Sequence, residues 1–201
     1  METRILFHIQ RHPVRSTPRF SVGKSYEIFE PFNDFWKFYT TYNPHVLMNG
    51  GVPTGIAKFA YYCVQNKQID QSGLAILADT LKETGMLMRE YVFETVRASR
   101  FPEKPSRQKC IWLTEENQVK YWFNWLNDNS SSYSVFQLEC TGRFHTGGQV
   151  YLNSDIMGFS ELESNANMYW HGLNTEGFQN HEIIFTRKAK VIGKHEVAEF
   201  R

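Results

Sequence analysis

Four polar residues lie within or beside apolar segments, and the types of two of them suit a ligand that carries phosphate and ribose. They are His8, Ser106, Arg107 and Glu182. The planar guanidinium of arginine matches the geometry of a phosphate, and a serine hydroxyl can donate to a ribose or a carboxamide. A carboxylate at the entrance to a buried strand can be held by its neighbours while its oxygens face a cleft. These residues are therefore candidates for a ligand site.

Each of these residues also has an ordinary structural interpretation, which the sequence leaves open. His8 lies in an apolar run and could be a core histidine with a satisfied hydrogen bond, although Gln10 on the same strand face favours a cleft. Arg107 could pair at the surface with Glu103 or with another carboxylate. Glu182 could be a charge at the edge of a strand.

The segment that carries Ser106 and Arg107 has an unusual stiffness. Pro102 and Pro105 each fix φ, and each disfavours helix at the residue before it. The segment begins after a long helical pattern and ends at a run, 110–113, that is typical of a buried strand. Loops held rigidly between regular elements often carry binding residues, so this segment is expected to form one wall of a site.

The elements that must position these residues alternate between strand and helix patterns. Apolar runs and period-two alternation predict strands over 4–10, 20–29, 110–113, 134–140, 182–185 and 189–192, with the last two forming either separate strands or one bent hairpin. Helical spacing predicts helices over 56–68, 74–96, 119–126 and 160–170, and residues 32–42 form a short helix or a covering loop. Thr114 is the expected N-cap of the third of these helices. Loops or turns are expected over 49–55, 127–132 and 142–148. The pattern indicates an α+β protein with antiparallel strands.

Composition and charge narrow the class of protein. The chain has 201 residues, of which 41% are hydrophobic and 21% charged, and this predicts a single folded domain over 1–201. It has no apolar run long enough to span a membrane and no N-terminal pattern typical of a signal peptide, so a cytoplasmic location is expected. The net charge of +1 gives no global attraction for nucleic acid.

A basic cluster near the N-terminus and three cysteines have more than one interpretation. The cluster could bind phosphates or could be a solvated face; its members are Arg4, His8, Arg11, His12, Arg15, Arg19 and Lys24. Cys63, Cys110 and Cys140 are odd in number and far apart, and no Cys/His spacing fits a zinc site. We expect no disulfide and no metal, with Cys110 and Cys140 buried as small apolar residues. The common nucleotide-binding and hydrolase motifs are absent.

Taken in order, several segments resemble the ADP-ribosyltransferase superfamily, and within it a bacterial family named only as a domain of unknown function. The resembling segments are Phe-His8-Ile in the first strand, Arg100-Phe-Pro-Glu-Lys-Pro-Ser-Arg107, Ala166-Asn-Met-Tyr-Trp-His-Gly172, Glu182-Ile-Ile-Phe and Lys190-Val-Ile192. They cover most of the chain except roughly residues 30–90. The resemblance implies a split, mostly antiparallel β core that clasps NAD, with a helical insertion at about 30–98.

The resemblance also implies roles for individual residues. Glu182 matches the catalytic carboxylate, which holds a ribose hydroxyl and offsets the positive charge that develops as the nicotinamide–ribose bond ionises. The superfamily's first-strand residue that orients NAD falls on His8 or Arg11, with Gln10 beside them. Ser106 and Arg107 would position the dinucleotide. Tyr169 would offer an aromatic face to nicotinamide, although a helix aromatic is also typical of a core.

The chain departs from the superfamily in ways that bear on its target. Neither Glu nor Gln lies two residues before Glu182, since that residue is Asn180, and the Ser-Thr-Ser strand motif is missing. Arginine-specific protein modification is thus disfavoured. The resemblance then implies a toxin or phage-defence effector that uses NAD to modify a nucleic-acid base and has a neutralising antitoxin partner. The alternatives are ADP-ribosylation of a protein, or an inactive module that binds NAD, another nucleotide or nucleic acid.

Overall fold

A computed structural model describes residues 2–13, 19–29, 32–48, 51–67, 69–126, 131–153, 155, 158–173 and 180–200. The described residues form seven strands and five α-helices. The strands are β1 (Glu2–Pro13), β2 (Ser25–Ile28), β3 (His45–Met48), β4 (Val52–Gly55), β5 (Ile111–Leu113), β6 (Ser131–Gly148) and β7 (His181–His195). The helices are α1 (Asp34–Thr41), α2 (Ile56–Asn66), α3 (Gln71–Arg100), α4 (Val119–Leu126) and α5 (Phe159–His171).

The long strands β6 and β7 form the centre of an antiparallel sheet with the order β1-β6-β7-β2. Strand β5 pairs with β7 along the same edge of β7 as β2 does. Backbone hydrogen bonds of 2.9 and 2.8 Å between Phe7 and Thr114 join the end of β5 to β1. Strands β1, β6, β7 and β5 therefore close into a ring. Strands β3 and β4 form a separate hairpin. The expected α+β class with a mostly antiparallel sheet is confirmed.

The two faces of β7 are buried in different cores because successive side chains point to opposite faces. Ile183 and Phe185 face the interior of the ring, where they pack with Leu6, Leu138 and other apolar residues. Ile184 faces outward and is covered by α3 and α5. Glu182 shares the outward face with Ile184. The carboxylate is therefore positioned between the sheet and the two helices.

The expected turn over 142–148 is wrong, because β6 runs without interruption through these residues. The glycines in this segment serve close packing. A Cβ at Gly142 would overlap the backbone of Thr186, and one at Gly147 would overlap the ring of Tyr169. Glycine weakens a strand yet permits this close approach, so a composition typical of turns occurs here in a strand interior.

Four further expectations need correction. Residues 182–192 form one strand, which continues through a positive φ of 109° at Arg187, so there is no hairpin. Thr114 caps no helix, because its backbone bonds to β1 and Glu115 precedes a short 3₁₀ turn that leads into α4. Within the expected loop at 49–55, residues 52–55 form β4, and residues 49 and 50 lie outside the described residues. The expected loop at 127–132 is likewise wrong for residues 131 and 132, which begin β6, and residues 127–130 lie outside the described residues.

The expected strand over 20–29 is wrong for residues 20–24: the strand comprises only Ser25–Ile28, which pair with β7, and the Lys24 amide closes a turn by donating to the Ser21 carbonyl at 3.1 Å. The helices follow the sequence patterns closely. Residues 32–42 contain the short helix α1, and the helical spacings over 56–68, 74–96, 119–126 and 160–170 correspond to α2 to α5. Gly172 ends α5 in the left-handed conformation, as its position after the apolar pattern suggests. The single domain with an insertion at about 30–98 stays a prediction; that range holds α1, β3, β4, α2 and most of α3.

Replacing Gly147 with alanine should destabilise the protein by about 3 kcal/mol, because the new methyl group must displace the packed ring of Tyr169. The measurement is urea unfolding followed by circular dichroism. Gly158→Ala is the matched control, since nothing lies within 4 Å of a Cβ there; it should cost at most about 1 kcal/mol through the weaker helix N-cap. Equal losses for the two variants would contradict the packing role.

Candidate functional site

The guanidinium of Arg107 is buried, with the residue only 3% exposed. Its Nε and Nη2 donate to the two carboxylate oxygens of Glu90 on α3, at 2.8 and 3.0 Å. This two-pronged geometry is the strong form of an arginine–carboxylate pair. The partner of Arg107 is therefore a residue 17 positions earlier, on a helix, and not the neighbouring Glu103.

The third nitrogen of the same guanidinium faces the start of β7. Nη1 of Arg107 donates to the Tyr169 hydroxyl at 2.8 Å and also to Oε1 of Glu182. The Tyr169 hydroxyl in turn donates to the same Oε1 at 2.6 Å. Both contacts of Glu182 involve Oε1, and no described residue donates a hydrogen bond to Oε2. One carboxylate oxygen is thus fixed by a guanidinium and a phenol.

A second arginine completes the buried charge cluster, which we define as Arg89, Glu90, Arg107, Tyr169 and Glu182. Arg89 donates to Oε1 of Glu90 through Nε and Nη2, at 3.2 and 2.9 Å, and to the Leu152 carbonyl at 2.5 Å. Two arginines face two glutamates, so the formal charges balance. This balance matters because an unpaired charge in such surroundings would carry a large desolvation cost.

The environment fixes the protonation of the cluster. Burial alone would raise the pKa of Glu90, but Arg107 and Arg89 lower it to about 2. Burial alone would lower the pKa of Arg107, but Glu182 and Glu90 hold it well above its usual value. Burial raises the pKa of Tyr169, so its hydroxyl keeps its proton and acts as a donor to Glu182.

The stiff segment after α3 is held in place by Asn33, the N-cap of α1. The Asn33 side-chain nitrogen donates to the carbonyls of Arg107 and Cys110, at 2.6 and 3.3 Å, while its oxygen accepts from the Trp36 amide at 2.9 Å. One buried amide therefore caps a helix and fixes the backbone on which Arg107 is carried. Lys104 attaches the same segment to α5 by donating to the Trp170 carbonyl.

The structure brings together three of the predicted site residues: Arg107, Tyr169 and Glu182. Ser106 lies next to Arg107, but its hydroxyl accepts from the Gln108 amide at 3.2 Å and so stabilises the turn. Gln10 accepts from the Arg19 amide at 3.1 Å. These two polar groups contribute to local backbone structure and do not contact the charge cluster.

His8 lies on the other face of the sheet. It is directly opposite Phe136 in the pairing of β1 with β6, and its ring meets Phe20 at 5.2 Å, so it faces the interior of the ring of strands. Its Nδ1 donates to the Trp112 carbonyl at 2.8 Å, and burial lowers its pKa to about 4. Arg11 is exposed further along β1, opposite Tyr133. His8 and Glu182 therefore do not line a single cleft.

Sequence reasoning missed Arg89 and Glu90, although the sequence contains a signal for them. The buried stripe of α3 includes Gly85, Val92 and Val96, and the periodicity of this stripe places Arg89 on it as well. A charged residue on the apolar stripe of a helix requires a buried partner. The pattern thus indicates an internal ion pair, but it does not indicate which distant residue supplies the counter-charge.

The cluster is nearly closed to solvent, since the side chain of Glu182 is only 10% exposed. Two depressions on the described surface lie elsewhere, one beside Asn33 and Lys109 and one beside Arg100 and Glu163. Among the described residues, no group of three His, Cys, Asp or Glu side chains lies close enough to hold a metal ion. None of the described helices is long and apolar enough to cross a membrane.

Comparison with known proteins gives a family but no activity. The family model described as "Protein of unknown function (DUF2441)" matches residues 6–199. The chain belongs to this family. The resemblance to a family known only as a domain of unknown function is thereby confirmed, whereas nothing in the match links the chain to the ADP-ribosyltransferase superfamily. No curated protein matches the chain at a significant level.

Replacing Asn33 with aspartate keeps the oxygen that caps α1 but removes the donor that holds the Arg107 and Cys110 carbonyls. We expect a loss of about 2–3 kcal/mol in the free energy of unfolding, because buried carbonyls would face a carboxylate. Asn66→Asp is the control: Asn66 is exposed and its amide also donates to a backbone carbonyl, that of Tyr62. It should cost less than about 1 kcal/mol. Equal costs in urea unfolding would contradict the role of Asn33.

Proposed function

We propose that this protein is an NAD-dependent ADP-ribosyltransferase in which Glu182 is the catalytic carboxylate. One observation supports the proposal most: Arg107, Tyr169 and Glu182, three residues given roles by the sequence resemblance, are in hydrogen-bond contact. They are separated by 13 to 75 positions in the sequence. A carboxylate fixed in this way is suited to stabilise positive charge on a sugar ring.

The reaction needs few protein groups. The bond between the ribose anomeric carbon and the nicotinamide nitrogen breaks, and its electron pair leaves with nicotinamide, which becomes neutral. A nucleophilic atom of the acceptor then bonds to the anomeric carbon and releases its proton. Oε2 of Glu182 would accept a hydrogen bond from the ribose 2′-hydroxyl, while Arg107 and Tyr169 hold Oε1 and so fix the orientation of the carboxylate.

Within this proposal Glu90 is a positioning residue. It binds Arg107 through two hydrogen bonds and leaves only Nη1 to face Tyr169 and Glu182. Because the guanidinium cannot rotate without breaking both bonds, the direction of its contact with Glu182 is set from α3. NAD would reach the carboxylate from the exposed side of Glu182.

For the acceptor we propose a nucleic-acid base, ahead of a protein side chain. Neither Glu nor Gln lies two positions before Glu182, where the residue is Asn180, and this supports the order. A role as a toxin or phage-defence effector with a neutralising partner belongs to the same proposal. The second candidate is an inactive module that binds NAD, another nucleotide or nucleic acid, and the burial of Glu182, only 8% exposed, favours it.

The test is incubation of adenine-labelled NAD with total RNA, total DNA and cell lysate. Glu182→Gln should lower transfer at least about 100-fold, because it removes the charge opposite the developing cation. Glu90→Gln is the structural control, since it removes a charge from the same buried cluster without touching the proposed substrate position. It should lower thermal stability at least as much as Glu182→Gln does, because Glu90 pairs with both Arg89 and Arg107, but retain more transfer per folded molecule.

Two outcomes would contradict the proposed activity. Absence of labelling in every fraction with the folded wild-type protein would exclude it under these conditions and favour the inactive module. Equal loss of transfer in the two glutamine variants, in proportion to their loss of folded protein, would show that Glu182 acts only through stability.

A further inference from the structure

Helix α4 has an unusual concentration of aromatic residues. Four of its eight residues are aromatic: Tyr121, Trp122, Phe123 and Trp125. Of these only Trp122 is buried, and Trp125 is 61% exposed. Its ring meets Trp122 edge to face, with centroids 5.7 Å apart. A large indole is thus held in place by another ring while most of its own surface faces solvent.

This helix is attached to the strand end that carries Glu182. The indole nitrogen of Trp122 donates to the carbonyl of His181, the residue before Glu182, at 3.1 Å. The Tyr121 hydroxyl donates to the side-chain oxygen of Gln149, and the backbone amide of Gln149 donates to the Asn180 carbonyl at 3.1 Å. Trp125 is therefore linked through a single ring contact to the backbone next to the candidate catalytic carboxylate.

The charges around α4 are mixed. Lys120 is exposed on the helix, and Arg11 lies opposite Tyr133, whose ring packs on Phe123 with centroids 5.3 Å apart. On the acidic side, Glu116 is exposed in the 3₁₀ turn that precedes the helix. Of the other described carboxylates nearby, Glu115 lies 3.5 Å from Arg4 and 3.8 Å from His181, Glu199 lies 3.0 Å from His195, and Glu196 is exposed. A ligand held here would depend on ring stacking more than on phosphate contacts.

We propose that α4 presents Trp125 as a stacking platform for an unpaired base of single-stranded nucleic acid. The size of the exposed ring favours this occupant over a protein. A stable protein interface buries about 800 Å² on each partner, whereas an aromatic side chain offers about 150–250 Å². One base needs only one ring, and every base has a face that can stack. This inference rests on the proposed function, which supplies the reason for the location: the helix that carries Trp125 is bonded through Trp122 to the backbone of His181, the residue before Glu182.

Binding is measured without NAD, by fluorescence anisotropy of a labelled single strand of about 20 nucleotides and of the matching duplex. The single strand should bind more tightly than the duplex, and Trp125→Ala should weaken its binding about five- to hundredfold. Trp125→Phe should retain most of the binding. Tyr91→Ala, which removes an aromatic residue with 64% exposure from α3, should leave it unchanged. With about two phosphate contacts, the salt slope should lie between about −1 and −2.

Three results would overturn the proposal. The first is the absence of single-strand binding by the folded wild-type protein. The second is equal binding by Trp125→Ala and Tyr91→Ala. The third is full binding by Trp125→Leu, because an apolar side chain without a ring would then suffice, as at a protein-docking surface. Glu182→Gln should bind the strand as the wild type does, so a failure of the proposed transferase activity would be seen separately from a failure of the platform.

Discussion

The burial of one positive charge, on Arg107, constrains the rest of the structure. An arginine in an apolar interior is tolerated only when its donors are paired with nearby carboxylates, since desolvation opposes the charged form. Glu90 supplies one pair from α3 and Glu182 supplies the other from β7. The helix, the strand and the segment between α3 and β5 must therefore meet at a single point. Aromatic rings of Phe93, Trp112 and Tyr169 surround the guanidinium at 5.1 to 6.0 Å and keep water away.

This constraint explains why several local features occur together. Asn33 fixes the backbone of Arg107, and Gly147 lets the ring of Tyr169 pack closely against β6. Neither residue carries charge, yet each determines where a member of the cluster lies. The position of the cluster therefore depends on packing across the whole outward face of the sheet.

Elements with strong periodicity were predictable from the sequence. The helices α2 to α5 and the strand around His8 follow apolar patterns that dominate local propensity. The strand over 142–148 was not predictable. Its glycines are required by close contacts with Thr186 and Tyr169, which are distant in sequence. The same limit applies to the site. Arg107, Tyr169 and Glu182 were identified as candidates, but their contact and the contribution of Glu90 depend on how the helices pack on the sheet.

The positions of His8 and Glu182 on opposite faces of the sheet restrict where a ligand can bind. His8 faces the interior of the ring of strands, whereas Glu182 faces the helices, so a ligand at the carboxylate would contact α3, α5 and the start of β7. In the structure Glu182 is paired on one oxygen and nearly covered. A substrate must therefore approach the second oxygen. The charge balance of the cluster determines how strongly that oxygen can stabilise a positive charge on the substrate.

We expect Arg107 and Glu182 to be energetically coupled in the folded protein. The most direct test is a double-mutant cycle in urea unfolding with Arg107→Met, Glu182→Gln and the combination of both. Each single change leaves a buried charged or polar partner unsatisfied, whereas the double change removes both, so a coupling of at least about 2 kcal/mol is predicted. Additive effects, within about 0.5 kcal/mol, would contradict the account.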